Sequence, residues 1–328
     1  MVRNVGTDYV TTPTGRVLHA NAAEVHYNGK VIPLPMIVPN QIELKYAHQA
    51  RWGSYDIGLF QYVEGIDFKT DYSSIAVKNH LTNNYRKLIS GNPELLGDFF
   101  IQHRPDYPIK RIHRKVFHEI QIDADATFLS DFEVNREQSE SDFITQSLEL
   151  QDMHPDFVVR PTLDIGMRTS GLLHGKISLL VKNKFPSFSI RFRAIKQNFK
   201  NWIALSDAIA EKNIWCHVVG TTRRWFGKKK ISSLAPLFNL GIHTVSHGNL
   251  RVYGGFKVQP FLLDTSTLLY NQAPSNVTYP ESRADDIFSH ESHLSLSRVH
   301  ILHKDYYSYF VKSKPGTKQA LQLLQLLS

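Results

Sequence analysis

Between Glu119 and Ser246 the chain alternates short apolar runs of strand length with stretches of helical periodicity, and no other feature constrains its fold as tightly. Four runs carry the pattern: ATFLSDFEV (126–134), FVVRPTLDIG (157–166), FSIRFRA (188–194) and IWCHVVG (214–220). The second is the centre of the argument, a buried strand running into a carboxylate, Asp164, where a loop begins. Alternation of this kind favours a parallel sheet with right-handed crossovers. Polar groups at successive strand ends point to an α/β fold, a β/α barrel whose site is built from strand-end loops.

The flanking segments extend this reading. Residues 1–23 are expected to form a loose lead-in, and AEVHY (23–27) and KVIPLPMIV (30–38) a hairpin through Asn28-Gly29. Helices are predicted over 73–88, 93–100, 139–153, 170–182, 198–212, 231–240 and 318–327. HEIQI (118–122) is expected to be a strand, Ser141 a helix cap, and 242–245 a strand ending at Ser246, His247 and Gly248. After Gly254-Gly255 the pattern loosens. The predicted organisation is an N-terminal set of strands over 1–65, a barrel over 66–312 and a C-terminal helix over 313–328.

The single cysteine, Cys216, excludes an intrachain disulfide and a multi-cysteine zinc site. No apolar run reaches membrane-spanning length and no secretory leader is visible, so the expected setting is cytoplasmic. The formal charge of +8, with a pI near 9.3, suits an anionic partner such as nucleic acid. It is concentrated in Lys110, Arg111, His113, Arg114 and Lys115, and again in Arg223, Arg224, Lys228, Lys229 and Lys230 around Trp225. Solvated basic loops would look the same.

Asp131 and Asp164 end consecutive predicted strands, and a barrel would bring them to one face. There, one could move a proton and the other accept hydrogen bonds from a ligand. Both read equally as helix-capping loop aspartates, and His217 as a packed histidine within its strand. No H-E-x-x-H occurs, and His290, His293, His300 and His303 lie away from the strand-end carboxylates, so no metal is expected. No G-x-G-x-x-G or P-loop supports a nucleotide cofactor, and none is expected.

The order of landmarks resembles the guanine transglycosylases, which exchange guanine for a 7-deazaguanine in tRNA, and their DNA-acting relatives. GKVIPLPMIVP (29–39) is similar to the family's G-K-x-I-x-T-P segment, and LSDFEV (129–134) to a shortened Asp-Ser-Gly-x-Phe-Glu/Gln signature. PTLDIG (161–166) is similar to P-L-D-I-P-T, HVVG (217–220) to H-x-x-G, and GIHTVSH (241–247) to the strand that carries the nucleophile. The resemblance spans roughly residues 20–255. It implies a modified (β/α)8 barrel with a small N-terminal antiparallel sheet, and base exchange at C1′ of DNA or tRNA with a 7-deazaguanine base as partner.

On that reading Asp131 shuttles the proton and Asp164 accepts the base's N–H edge. Phe132, Arg193, Ala194, His217 and Gly220 line the pocket, while Arg223, Arg224, Trp225, Lys228, Lys229 and Lys230 meet phosphates. Ser246 stands where the family has its nucleophilic Asp, with His247 beside it as a base. The family's zinc cysteines are missing. Two other readings stay open: an inactive relative that binds nucleic acid or a partner subunit, as a homo- or hetero-oligomer, and an unrelated barrel enzyme of small-molecule metabolism.

Overall fold

The computed structural model describes residues 2–27, 29–44, 59–65, 73–90, 96–102, 111–131, 138–221, 231–232, 234–247 and 260–327. The chain opens with β1 (Val2–Thr11), β2 (Val17–Tyr27) and β3 (Lys30–Leu34), an antiparallel sheet in that order. The two turns explain the pairing. Gly15 (φ +80°) closes β1 onto β2, and Gly29 (φ +77°) stands at the β2–β3 turn, where Tyr27 faces Lys30. Both need the left-handed backbone that glycine adopts without strain. Residues 1–23, expected to be loose, are therefore largely strand.

Two parallel sheets follow. One runs β5 (Leu59–Gly65), β6 (Leu96–Gln102), β7 (Phe128–Ser130), β8 (Val158–Arg160). The other runs β4 (Met36–Ile37), β12 (Thr244–His247), β11 (Trp215–Thr221), β10 (Ser187–Arg191), β9 (Thr162–Asp164). β8 and β9 are one stave interrupted at Pro161, which has no N–H to give a ladder. The first strand of the set, β4, pairs with the last, β12. No ladder joins β4 to β5 among the described residues, so the fold shown is α/β with parallel sheets rather than a closed barrel. β4 and β5 lie within the 1–65 stretch assigned to the N-terminal strands, yet join the parallel sheets.

Helices α1 (Ile75–Ser90), α2 (Arg111–Asp123), α3 (Glu140–Met153), α4 (Ser170–Lys182), α5 (Phe199–Ile209) and α6 (Leu234–Phe238) alternate with these strands. Ser139 and Thr169 cap α3 and α4 by accepting from Asp142 N and Leu172 N, so the predicted cap at Ser141 is displaced by two residues. The strands' outer face is aliphatic. Leu129, Val159, Leu163, Phe188, Ile190, Cys216, Val218 and Val245 form one core with Leu173, Ile177, Trp202 and Leu205 of the helices. The alternate residues point inward. At the strands' amino ends, Met36, Leu96, Phe128 and Trp215 pack on Val2, Ala23, Val25, Ile32 and Leu34, so the N-terminal sheet forms a floor.

Two further expectations are corrected. Of the predicted helix over 93–100, residues 96–100 belong to β6, whose Phe99 and Asp98 alternate between outer and inner faces, and 93–95 lie outside the described residues. The predicted strand at 118–122 lies inside α2, where Phe117, Ile120 and Ala124 keep helical spacing against Leu81 and Tyr85. From 260 to 327 the chain forms a hairpin of β13 (Phe261–Asp264) and β14 (Leu269–Gln272), then α7 (Tyr279–Leu302), α8 (Tyr306–Ser313) and α9 (Pro315–Leu327). A Thr278–Glu281 capping box starts α7.

Four buried histidines set an acid limit on this packing. Burial lowers His19 to about 4 and His243 and His293 to about 3, and takes His217 well below its ordinary value. Each resists protonation when folded but accepts a proton near pH 6.5 when unfolded, so stability is lost as pH falls from there towards the folded values. At pH 5 the loss is about 2 kcal/mol for each of His19, His243 and His293. Urea midpoints measured from pH 7.5 to 5 should fall steadily; a flat profile would mean that these imidazoles are solvated.

Candidate functional site

The facing sides of the two parallel sheets carry polar residues, and one arginine organises them. Arg160, 1% exposed at the end of β8, donates from Nη1 to Asp98 Oδ2 on β6 (2.9 Å) and from Nε to Ser187 Oγ on β10 (3.3 Å). Its guanidinium lies against both the Phe128 and the Trp215 ring, 3.8 and 4.1 Å from their centroids, where the two rings meet edge to face. Ser130 donates to the other Asp98 oxygen at 2.7 Å. One side chain thus joins the inner faces of both sheets. Burial lowers the Arg160 pKa, and the Asp98 charge opposes that shift.

Above this cluster a polar row crosses four strands in register: Thr162 beside Ser189, Ser189 beside His217, His217 beside Thr244. Trp215 Nε1 donates to Thr244 Oγ1 (2.7 Å), and His217 Nδ1 lies 2.8 Å from the same hydroxyl. Barrel interiors that only fill space are layered with branched aliphatics. Here those residues occupy the outer face, and the hydroxyls and imidazole face inward.

At the carboxyl ends of the strands stand three carboxylates, each held by an arginine. Asp164 accepts from Arg193 Nε and Nη2 at 2.5 and 2.6 Å and from Gly166 N at 2.8 Å. Burial would raise its pKa, but Arg193 and the Gly166 amide outweigh burial and lower it. Gly166 permits the contact, since a Cβ there would lie 2.5 Å from the Arg193 side chain. Asp131 accepts from Arg114 and His118 of α2. Burial acts to raise its pKa, but His118 and Arg114 prevail and hold it at about 2. Glu43 accepts from Arg283 Nε and Nη2 at 3.0 and 2.7 Å, and His247 Nδ1 lies 2.8 Å from the same oxygen. Burial again opposes, but Arg283 and His247 hold Glu43 at about 2.

Of the four catalytic candidates, Asp164 and Ser246 take the inner-face parity, Asp164 with Thr162 and Ser246 with Thr244. The other two do not. Asp131 follows the outer parity of Leu129 and is clasped by α2, because one residue's difference along a strand reverses the side chain's face. His247 leaves β12 on the side opposite Ser246 and is fixed by Glu43, so it is not the base of a Ser246 pair. Among the pocket candidates, His217 lies in the polar row. Arg193 covers Asp164, Ala194 is exposed beyond it, and Gly220 (φ +80°) marks the irregularity where β11 re-registers on β12. Phe132, Arg223, Arg224, Trp225, Lys228, Lys229 and Lys230 lie outside the described residues. Sequence reasoning passed over Asp98, Arg160, Glu43 and Arg283. A lone charge inside an apolar run (LGDFF, FVVR) was the available signal for the first two.

Among the described residues, no cluster of three or more potential metal ligands occurs, and no helix is long and apolar enough to cross a membrane. No family model matches the chain, and no curated protein matches it. Among solved structures, it is similar to a putative lyase/mutase from Burkholderia cenocepacia J2315, at 12% identity and a TM-score of 0.44, over 65% of this chain and 76% of that one. Likeness at that level says nothing about activity.

The burial of Asp131 makes its ion pair a structural element. Arg114→Ala should cost about 3–5 kcal/mol in urea denaturation, because it strands a buried carboxylate. Asp131→Asn should cost clearly less. Equal, small losses would place Asp131 in contact with water.

Proposed function

We propose that β4 to β12 close into a β/α barrel whose mouth binds a nucleobase for exchange at C1′ of a nucleic acid, the reaction of the guanine transglycosylases. The observation that supports this reading is that Asp164 and Ser246 share the inner-face parity at the carboxyl ends of β9 and β12, above a row of polar side chains. In parallel β/α folds, that end is where loops assemble sites. Asp164 is ionised at neutral pH and so acts only as an acceptor, which suits the N–H edge of guanine or a 7-deazaguanine. Arg193 occupies the carboxylate in the free protein, and base binding displaces or shares it. A second reading, base or nucleic-acid binding without exchange, is favoured by one observation: His247 faces away from Ser246.

The test is incubation of the protein with tRNA or duplex DNA and a labelled 7-deazaguanine. Incorporation is the expected result, with Asp164→Asn lowering kcat/KM about ten- to a hundredfold, the worth of a charge-assisted hydrogen bond. Salt-sensitive binding without incorporation would favour the second reading. If neither occurs, both readings fail.

A further inference from the structure

We propose that Arg160, Thr162 and Ser189 form a seat, one layer below Asp164, for the carbonyl edge of a neutral ligand. Each carries a buried polar atom with no partner among the described residues: Arg160 Nη2, Thr162 Oγ1 and Ser189 Oγ. Their positions converge. Ser189 lies beside Thr162 in register, and Arg160 precedes Thr162 by two residues on the same stave. Arg160 Nε reaches Ser187 Oγ, two residues before Ser189 on β10. The two hydroxyls are therefore side by side on β9 and β10, with the Arg160 guanidinium in the layer beneath them.

Buried hydroxyls and guanidinium protons are nearly always paired, and leaving one unpaired costs stability. Here Leu163, Phe188 and Ile190 cover the outer face of these same strands, whereas Thr162 and Ser189 face inward and could have been aliphatic. Local conflicts of this kind gather where a protein uses them. The chemistry of the seat narrows its ligand. Arg160 is already charge-matched by Asp98, so the seat holds no surplus positive charge to compensate an anion. It offers a guanidinium N–H and two hydroxyls that can donate, which suits a neutral acceptor oxygen. On the base-binding reading proposed above, on which the ligand's identity rests, this is the oxo group of a 6-oxopurine whose N–H edge meets Asp164.

Thr162→Val and Ser189→Ala, singly and together, test the seat. Both remove a hydroxyl and leave the fold's volume nearly unchanged. The melting temperature of each variant is measured without ligand. Binding of guanine, 7-deazaguanine, adenine and inorganic phosphate is measured by titration calorimetry. The expected result is a melting temperature equal to or above that of the wild type, about tenfold weaker guanine binding for each hydroxyl removed, and little binding of adenine or phosphate. Variants that melt lower would show the hydroxyls to be structural, satisfied by enclosed water, and would overturn the seat. Tight phosphate binding would overturn the neutral-ligand assignment. Wild-type guanine binding that the variants retain would overturn the seat alone and leave the proposed function standing. A wild type that ignores every base would overturn both.

Discussion

The guanidinium of Arg160 is the interaction on which the rest of the interior depends. It touches Asp98 on β6, Ser187 on β10, and the rings of Phe128 on β7 and Trp215 on β11, and so ties two separately hydrogen-bonded sheets around one space. It also divides that space into levels. Below it lies the apolar floor shared with the N-terminal sheet, and above it the row from Thr162 to Thr244. A fully buried charge is tolerated only with its partner in place, because desolvation otherwise dominates. The two aromatic faces add cation–π attraction where water is excluded.

Much of the parallel architecture was legible in the sequence. FSIRFRA, IWCHVVG and FVVRPTLDIG read as strands because their outer residues are large and apolar, and the helices between them have periodic apolar faces. Alternation was the more informative signal, although its meaning inverts here. In an antiparallel sheet, polar alternate residues usually face solvent. In these strands, covered by helices on the outside, Ser187, Ser189, His217 and Thr244 face inward. The hairpin of β2 and β3 was legible, but β1, the first part of β2 and α7 were missed because their hydrophobicity is diluted: by polar residues in β1, by alanine and asparagine in β2, and by serine and histidine in α7.

The site was less legible than the fold, for a geometric reason. Which of two adjacent residues faces the interior is set by pleat and register, and no motif records either. Asp131 and Asp164 looked equivalent as strand-end acids, yet parity sends one towards α2 and the other to the inner rim. Glu43 follows a two-residue strand, and Arg283 lies in a helix some 240 residues further along; only the fold brings them together.

That last contact has company. Arg298 of α7 donates to the Pro35 carbonyl at 2.8 Å, Lys304 donates to Thr7, and the amide of Tyr307 donates to Asp8. Strands β1 and β3 thus find their lasting neighbours some 260 to 300 residues further along the chain. Contacts of such sequence separation are slow to form, because a long loop must close first. Until that loop closes, β1 to β3 form an open three-stranded sheet whose apolar side awaits Leu96 of β6, Phe128 of β7 and Trp215 of β11. A chain caught in that state is a natural client for chaperones that shield exposed strands.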